Sequence, residues 1–481
     1  MAVLDHLEPR GVFHFFEELC SMPHGSGNTK QVSDWLASFA KERGLEYYQD
    51  DWNNVIIIQE ATPGYENAEP LILQGHMDMV CEKAPDCAKD MAKEGLDLAV
   101  EGDTVLAKGT TLGGDDSIAV AMMLAILDDP AIAHPRLECV FTVDEEVGME
   151  GAMYLDVSML RGRRLLNLDS EDEGVFTVSC AGGCMSTCTV PVKREPYPFA
   201  GTYLTLRVDG LLGGHSGAEI HKGRANANVL LGRALYAILP SLRIVSVDGG
   251  LKDNAIPVSA AAVVAVKNRE LAGALAACRE MDEAFRNEYA VTDPGVRLTV
   301  TEGGEGLPMD WPSTHSVITL LACCPNGVQA MSADIEGLVQ TSLNLGVLTT
   351  GETEVKATFC VRSSIESQKE MLVDKLRCLL TNMRRATLSV SGDYPGWQYR
   401  HDSPLRDLLT EVFTEQYGHP PRVEAIHAGL ECGHFSGKLP GLDCVSVGPD
   451  LDEIHTFRER LHIASTARLW AMVVEVLRRM K

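Results

Sequence analysis

Four short apolar segments of this chain have the character of buried β-strands, and histidine or acidic residues follow each of them. The segments are residues 71–75, 137–143, 164–168 and 444–448. In open α/β sheets, ligands bind in the crevice outside the carboxyl ends of the strands. This pattern therefore predicts a fold in which these strand ends meet at one edge of a sheet and form a polar site.

The wider pattern predicts two domains, because single hydrophobic cores stop growing near ~250–300 residues and the chain has 481. Up to residue 190, strand-like and helical segments alternate, which favours a largely parallel sheet covered by helices. From residue 191, strands with period-two alternation appear among longer helices, and the first pattern resumes near residue 395. We therefore predict a discontinuous catalytic domain (1–190 and 395–481) and an inserted α+β domain (191–394).

The residues at the strand ends are of the types that bind divalent cations. They are His76 and Asp78, then Asp144, Glu145 and Glu146, then Asp169 and, after a short loop, His455, with Asp115 in the loop TTLGGDDS before a predicted helix. Any one of them alone would usually be a turn or solvated residue. Because separate segments all supply histidine or carboxylate to one sheet edge, the pattern predicts a metal site.

Longer motifs around these residues carry a family resemblance. They read GHMDMVCEK, GTTLGGDDSIAVA, TVDEEVGMEGA, NLDSEDEG, GGHSGAEIHKGRANAN and AIHAGLECG. In this order they resemble the aminoacyl-histidine dipeptidases (Xaa-His dipeptidases, peptidase D type) of the aminoacylase and carboxypeptidase G metallopeptidase superfamily. The resemblance covers essentially the whole chain. It implies a zinc-exopeptidase-like catalytic domain with a mostly parallel sheet, and an inserted lid domain.

The resemblance also implies two divalent metal ions per chain, zinc in the first place, with cobalt or manganese as alternatives. His76 and Asp169 match the residues that hold one ion, Glu146 and His455 match those that hold the other, and Asp115 matches the bridging carboxylate. A shared anion makes physical sense, because two cations ~3.5–4 Å apart repel each other.

Two further residues match groups that act on the reaction or on a ligand. Glu145 matches the general base, which takes a proton from the attacking water and passes it to the leaving amine. Asp78 matches the group that orients the ligand His76.

Other matches concern the substrate. His215 matches a lid histidine that stabilises the oxyanion of the tetrahedral intermediate. Asn254 and Arg362 match lid residues that hold substrate, and Arg362 suits a C-terminal carboxylate. Three residues of the HAGLECG segment are expected to contact substrate, namely His427, Glu431 and Gly433. An inserted domain of roughly 200 residues is large, which favours action of His215 within its own chain, and exchange across a homodimer is the alternative.

Two loops depart from the family pattern. Ser117 and Ala119 stand where glycines are usual, and IHTFRE replaces the usual His-Ser-Pro-Asp-Glu around His455. Ser117 and Ala119 are expected to alter the packing of their loop while leaving Asp115 in place. Since His455 is retained, we expect the second change to affect substrate preference more than metal binding.

The expected function is metal-dependent hydrolysis of short unblocked peptides, chiefly dipeptides including Xaa-His. An N-acyl amino acid deacylase or a carboxypeptidase on the same scaffold is the alternative, and the requirement for a free α-amine separates them. A non-catalytic peptide-binding protein is a third hypothesis. The presence of Glu145 weighs against it, because a binding protein needs no general base.

Charge and hydropathy argue against nucleic acid and membranes as partners, and the family resemblance implies small peptide substrates. The net charge of −26 would repel nucleic acid and anionic membranes. No run of 18 apolar residues occurs, and the first 20 residues lack the apolar core of a secretory signal. We therefore expect a cytoplasmic protein.

Overall fold

The computed structural model describes residues 3–196, 200–239 and 241–481, which form two compact units. The first unit runs to Ser179 and also contains Tyr399–Ala425 and Leu430–Lys481. The second contains the described part of Cys180–Gln398 together with Ile426–Gly429. The predicted domain boundaries at 190/191 and 394/395 stay a prediction about domain organisation, and the first of them lies within the strand Gly182–Pro191.

An eight-stranded mixed sheet forms the centre of the first unit. Its strands, in spatial order, are Glu46–Gln49, Val55–Gln59, Leu137–Thr142, Leu71–His76, Arg164–Asn167, Asp443–Ser446, Val175–Cys180 and Arg422–Ile426. The four strands that begin at Leu137, Leu71, Arg164 and Asp443 are parallel to one another. On one side of them, Val55–Gln59 and Glu46–Gln49 pair antiparallel, and on the other side Val175–Cys180 pairs antiparallel with Asp443–Ser446. The parallel strands are almost completely buried, which explains why they appear in the sequence as continuous apolar runs.

Seven helices accompany this sheet among the described residues of the first unit. They are Arg10–Cys20, Lys30–Glu42, Gly114–Asp128, Glu150–Tyr154, Pro404–Tyr417, Glu431–Lys438 and Ile463–Arg479. A small second sheet contains Leu451–Asp452, Arg460–His462, Thr104–Ala107 and Leu98–Glu101.

The helix Gly114–Asp128 packs very closely on the strand Leu71–His76. A Cβ atom at Gly75 would lie 2.4 Å from Asp116 Oδ2 and 2.8 Å from the Cβ atom of Ala119. A residue without a side chain is therefore required at this point of the strand, and the start of the helix lies directly beside the strand end.

The second unit is built on a nine-stranded sheet. In spatial order, its strands are Arg297–Glu302, Thr202–Asp209, Ala260–Val266, Leu242–Gly249, Val339–Thr350, Glu354–Ser363, Gly182–Pro191 and Thr387–Tyr394, with Gly327–Met331 paired to Val339–Thr350. All these pairs are antiparallel. Strands such as Thr202–Asp209 alternate between buried and more exposed residues, as expected for a sheet with one face on a core.

Four helices and one short strand pair complete the described part of this unit. The helices are Ala227–Ala237, Leu271–Glu288, Trp311–Cys323 and Glu366–Leu380, with short 3-10 turns at Ile220–Lys222 and Asn268–Glu270. The strand pair joins Gly214–His215 to Ala255–Ile256. None of the helices in the described residues of either unit has the length and apolar character needed to span a bilayer.

Candidate metal centre

The first unit brings together all five residues predicted as metal ligands. His76 is the last residue of the strand Leu71–His76, and Asp169 follows the strand Arg164–Asn167 by two residues. Glu146 comes shortly after Leu137–Thr142, Asp115 lies in the first turn of its helix, and His455 follows Leu451–Asp452. The carboxyl ends of the parallel strands therefore form the site, as in other open α/β sheets.

The two oxygens of Asp115 face two different histidines. His76 Nε2 lies 3.1 Å from Asp115 Oδ1 and 3.4 Å from Asp169 Oδ1. On the other side, His455 Nε2 lies 3.1 Å from Asp115 Oδ2 and 3.0 Å from Glu146 Oε1. These contacts define two adjacent groups of nitrogen and oxygen atoms that share one carboxylate.

This donor set fits two divalent cations. The groups Asp115–Glu146–His455 and His76–Asp116–Asp169 each place ligand atoms within 4.8 Å of one another. Histidine nitrogen and carboxylate oxygen are common zinc ligands. Burial raises the pKa of Asp169 to about 6, with His76 opposing the shift, so bound cations would relieve the cost of several buried carboxylates.

Asp116 is a residue of this site that the sequence analysis did not select. It is buried, and its Oδ2 accepts a hydrogen bond from the backbone N–H of His76 at 3.2 Å. The doubled acid in GGDDS was the available signal, but the sequence could not tell which way each side chain points.

Asp78 lies where a residue that orients His76 should lie. His76 Nδ1 is 3.0 Å from the backbone carbonyl oxygen of Asp78 and 3.4 Å from its Oδ1. The carboxylate of Asp78 in turn accepts hydrogen bonds from the Ser26 hydroxyl at 2.8 Å and from the backbone N–H of Glu145 at 3.2 Å. Ser26, from the segment PHGSGN, is a second residue that the sequence analysis did not select.

Glu145 lies within this cluster. A carboxylate oxygen of Glu145, one of Glu146 and a ring nitrogen of His76 lie within 4.8 Å of one another. Burial raises the pKa of Glu145; His76 opposes the shift, and the carboxylates of Asp169 and Glu431 add to it. Without a cation the pKa of Glu145 rises to about 9, so its carboxyl group is protonated near neutral pH. Bound cations would lower this pKa towards the range of a general base.

The histidines of the metal centre hold their protons strongly when no cation is bound. Hydrogen bonds with Asp115 and Glu146 raise the pKa of His455 to about 10. Burial lowers the pKa of His76, but the neighbouring carboxylates of Asp169 and Asp115 outweigh it and raise this pKa well above the usual value.

Glu431 and Gly433, which the sequence analysis selected as substrate contacts, are buried on the helix Glu431–Lys438. Glu431 Oε2 accepts hydrogen bonds from Gln74 Nε2 and from Thr142 Oγ1, both at 2.6 Å. Burial raises the pKa of Glu431 to about 8. These bonds anchor Glu431 to the sheet, and substrate contact by either residue stays a prediction.

In the second unit, the backbone fixes the tautomer of His215. Its Nδ1 accepts hydrogen bonds from the backbone N–H groups of Gly217 at 3.2 Å and Ala218 at 3.0 Å. Burial and the charge of Arg362 lower the pKa of His215. The neutral ring must therefore carry its proton on Nε2, which makes that nitrogen a hydrogen-bond donor.

Arg362 and His427 lie near His215 in the same unit. Arg362 is buried and donates one hydrogen bond to the hydroxyl of Tyr394 at 3.1 Å, while no described residue accepts a hydrogen bond from its Nε. His427 Nε2 is 2.7 Å from Ser342 Oγ. Burial, with the charge of Arg362, lowers the pKa of His427 to about 3.

Asn254 is exposed and lines a cavity of about 760 Å³ together with His215. Its carbonyl oxygen accepts a hydrogen bond from the backbone N–H of Ser216 at 2.8 Å. The predicted substrate residues His215, Asn254, Arg362 and His427 thus all belong to the second unit.

Comparisons with known proteins find relatives that match nearly the whole chain. The cytosol non-specific dipeptidase of Escherichia coli (strain K12) is 36% identical over 481 residues, which is 99% of this chain and 99% of that protein. The crystal structure of aminoacylhistidine dipeptidase from Vibrio alginolyticus matches with a TM-score of 0.93 and 36% identity, over 99% of this chain and 97% of that chain. The aminopeptidase PepT from Bacillus cereus ATCC 10987 shares the fold, with a TM-score of 0.57 and 16% identity over 98% and 99% of the two chains.

The sequence model of the family described as Peptidase family M20/M25/M40 matches residues 72–479. This match contains every predicted metal ligand, and the predicted α/β fold class and family resemblance are confirmed. The chain belongs to peptidase family M20/M25/M40.

Proposed function

We propose that this protein is a metallopeptidase that hydrolyses short unblocked peptides, chiefly dipeptides including Xaa-His, with two divalent metal ions per chain. The observation that supports this proposal most directly is that the two oxygens of Asp115 face His76 on one side and His455 on the other. The buried carboxyl group of Glu145 lies in the same cluster, where it can serve as the general base that a peptide-binding protein would not need.

The donor atoms favour zinc, with cobalt or manganese as alternatives. His76 and Asp169 would hold one ion and Glu146 and His455 the other, with Asp115 between them. When bound, the ions supply Lewis-acid activation of a water molecule and of the scissile carbonyl group.

The residues of the chain perform the proton transfers. Glu145 takes a proton from the attacking water and gives it to the leaving amine nitrogen. Asp78 keeps His76 in the tautomer and orientation that leave Nε2 free for the metal.

Residues of the second unit are proposed to act on the peptide itself. The Nε2–H group of His215 donates to the carbonyl oxygen as negative charge develops there. The guanidinium of Arg362 binds the C-terminal carboxylate of the peptide, with Asn254 and His427 as further contacts. We place its action in the cytosol, by similarity to the cytosol non-specific dipeptidase of Escherichia coli. Action of His215 across a homodimer is the alternative to its action within one chain.

The test combines metal content with a substrate panel. Purified protein should carry close to two divalent ions per chain, lose activity with chelator and regain it with added metal. It should cleave a β-alanyl-His dipeptide, Gly-His and Ala-Ala, and act poorly on an N-acetyl amino acid. Efficient deacetylation without dipeptide turnover would place the enzyme among the deacylases, and full activity with one ion per chain would contradict the bridging role of Asp115.

A further inference from the structure

One buried carboxylate in the first unit holds the loop that carries Asp115. Glu459 is 3% exposed, and its Oε2 accepts hydrogen bonds from the backbone N–H groups of Leu112 at 2.8 Å and Gly113 at 3.0 Å. Its Oε1 accepts from the N–H groups of Gly114 at 2.7 Å and Asp115 at 3.3 Å. Four consecutive backbone donors thus converge on one side chain.

The glycines of this loop make room for that carboxylate. Gly113 has a φ of +67°, a left-handed conformation that favours glycine. A Cβ atom at Gly114 would lie 2.7 Å from Leu451 Cδ2 and 3.2 Å from Glu459 Oε1. Successive N–H groups in such a turn form a concave anion-binding surface, here filled by a side chain of the same chain.

Glu459 also belongs to the segment that supplies a metal ligand. It lies four residues after His455, and its backbone N–H donates to the carbonyl oxygen of Thr456 at 3.2 Å. The strand Arg460–His462 begins immediately after it. One short segment therefore provides a ligand for one metal position and fixes the loop of the shared ligand Asp115.

We propose that Glu459 is a positioning residue that fixes Asp115 relative to His455 and so sets the geometry of the two metal positions. This inference rests on the proposed dinuclear function. An ordinary helix cap would only stabilise the fold, whereas a positioning residue must change metal binding beyond any change in stability.

The variant Glu459→Gln tests this with little change in side-chain shape. The amide group points N–H donors at backbone N–H donors, so half of the loop loses its acceptor. We expect metal affinity to fall roughly 10–100-fold, the range seen for residues that support metal ligands. Chelator competition with Zn²⁺ measures this, and amide hydrogen exchange at residues 112–115 should accelerate in the metal-free protein.

Glu138→Gln is the matched control. Glu138 is fully buried in the same unit and accepts hydrogen bonds from the backbone N–H groups of Arg161 and Gly162, each at 3.0 Å, and from Arg136 Nε. It lies near the amino end of its strand, away from the metal ligands. Both variants should lower the unfolding temperature, but only Glu459→Gln should weaken metal binding.

A second variant keeps the test decisive if Glu459→Gln does not fold. Glu459→Asp keeps the charge but draws the carboxylate back by one methylene group from the backbone N–H groups of the loop, and should weaken Zn²⁺ binding in the same direction by a smaller factor. Unchanged affinity in the folded variants, or equal losses in Glu459→Gln and Glu138→Gln, would overturn the positioning role while wild-type dipeptide turnover and metal content stay as proposed. A wild-type chain that binds no metal would instead overturn the dinuclear function itself.

Discussion

The histidines selected as functional in the two units have opposite pKa shifts. In the first unit, His76 and His455 lie among carboxylates, and both pKa values are raised. In the second, burial and the charge of Arg362 lower the pKa values of His215 and His427. The first group is therefore arranged for a cation, which must displace protons to bind. The second is neutral at physiological pH and can donate a hydrogen bond to an anion without a change in its own charge.

The largest effect on turnover is expected from a change of Glu145, the proposed general base that lies beside His76 in the first unit. Glu145→Gln should reduce turnover by ~10²–10⁴-fold, because an amide cannot accept the proton of the attacking water. Metal content, measured by elemental analysis, should stay near the wild-type value. Glu146→Gln is the neighbouring control and should lower metal occupancy, so reversed results would exchange the roles of the two residues.

The next largest effect on turnover is expected from a change of His215 in the second unit. His215→Ala should lower kcat by roughly 10²–10³-fold, the range for loss of an oxyanion donor, with unchanged metal content. Steady-state kinetics measures this loss. Mixing His215→Ala with Glu145→Gln protein then tests the chain of origin, since recovered activity would show that His215 acts across a dimer rather than within its own chain.

A smaller effect is expected at Arg362. Arg362→Met should raise KM for dipeptides by ~10–100-fold, as a charged hydrogen bond contributes ~1.5–3 kcal/mol, while kcat changes little. A dipeptide amide, which lacks the carboxylate, provides the control. If the variant still discriminates the dipeptide from its amide as strongly as the wild type does, Arg362 does not bind that carboxylate.

The smallest effect concerns pH and follows from the raised pKa values of His76 and His455. Both imidazoles are protonated near pH 7 without metal, so metal affinity should rise about tenfold per pH unit for each proton displaced. Calorimetry in buffers of different ionisation enthalpy should detect this proton release. In the metal-free protein, the contacts of protonated His455 with Asp115 and Glu146 stabilise the fold. This contribution is fully present below the pKa of a histidine in the unfolded chain, and it is lost as the pH rises through about 10. Metal affinity that is independent of pH would contradict these shifts.

The sequence could predict which residues meet at the candidate metal centre because all of them except Asp115, which begins a helix, follow strands. Metal binding by these residues stays a prediction. The predicted segment 71–75 corresponds to the observed strand Leu71–His76, and 164–168 corresponds to Arg164–Asn167. Such ligands depend on local chain direction, which apolar runs reveal.

The residues that the sequence did not reveal act through contacts between distant segments. Glu459 binds backbone groups 344 to 347 positions earlier in the chain, and Ser26 reaches Asp78 from an irregular loop. Neither hydropathy nor spacing records which backbone N–H groups converge. The antiparallel strand Val55–Gln59 beside the parallel centre was likewise not distinguishable from its apolar sequence alone.

The close approach at Gly75 limits which changes this protein can tolerate. The nearest non-flexible neighbour of an added methyl group is the Cβ atom of Ala119, at 2.8 Å, and any displacement of the helix also displaces Asp115 at its start. In a saturation mutagenesis screen for growth on dipeptides, Gly75 should therefore be as intolerant as the metal ligands, although it has no side chain with which to take part in the reaction.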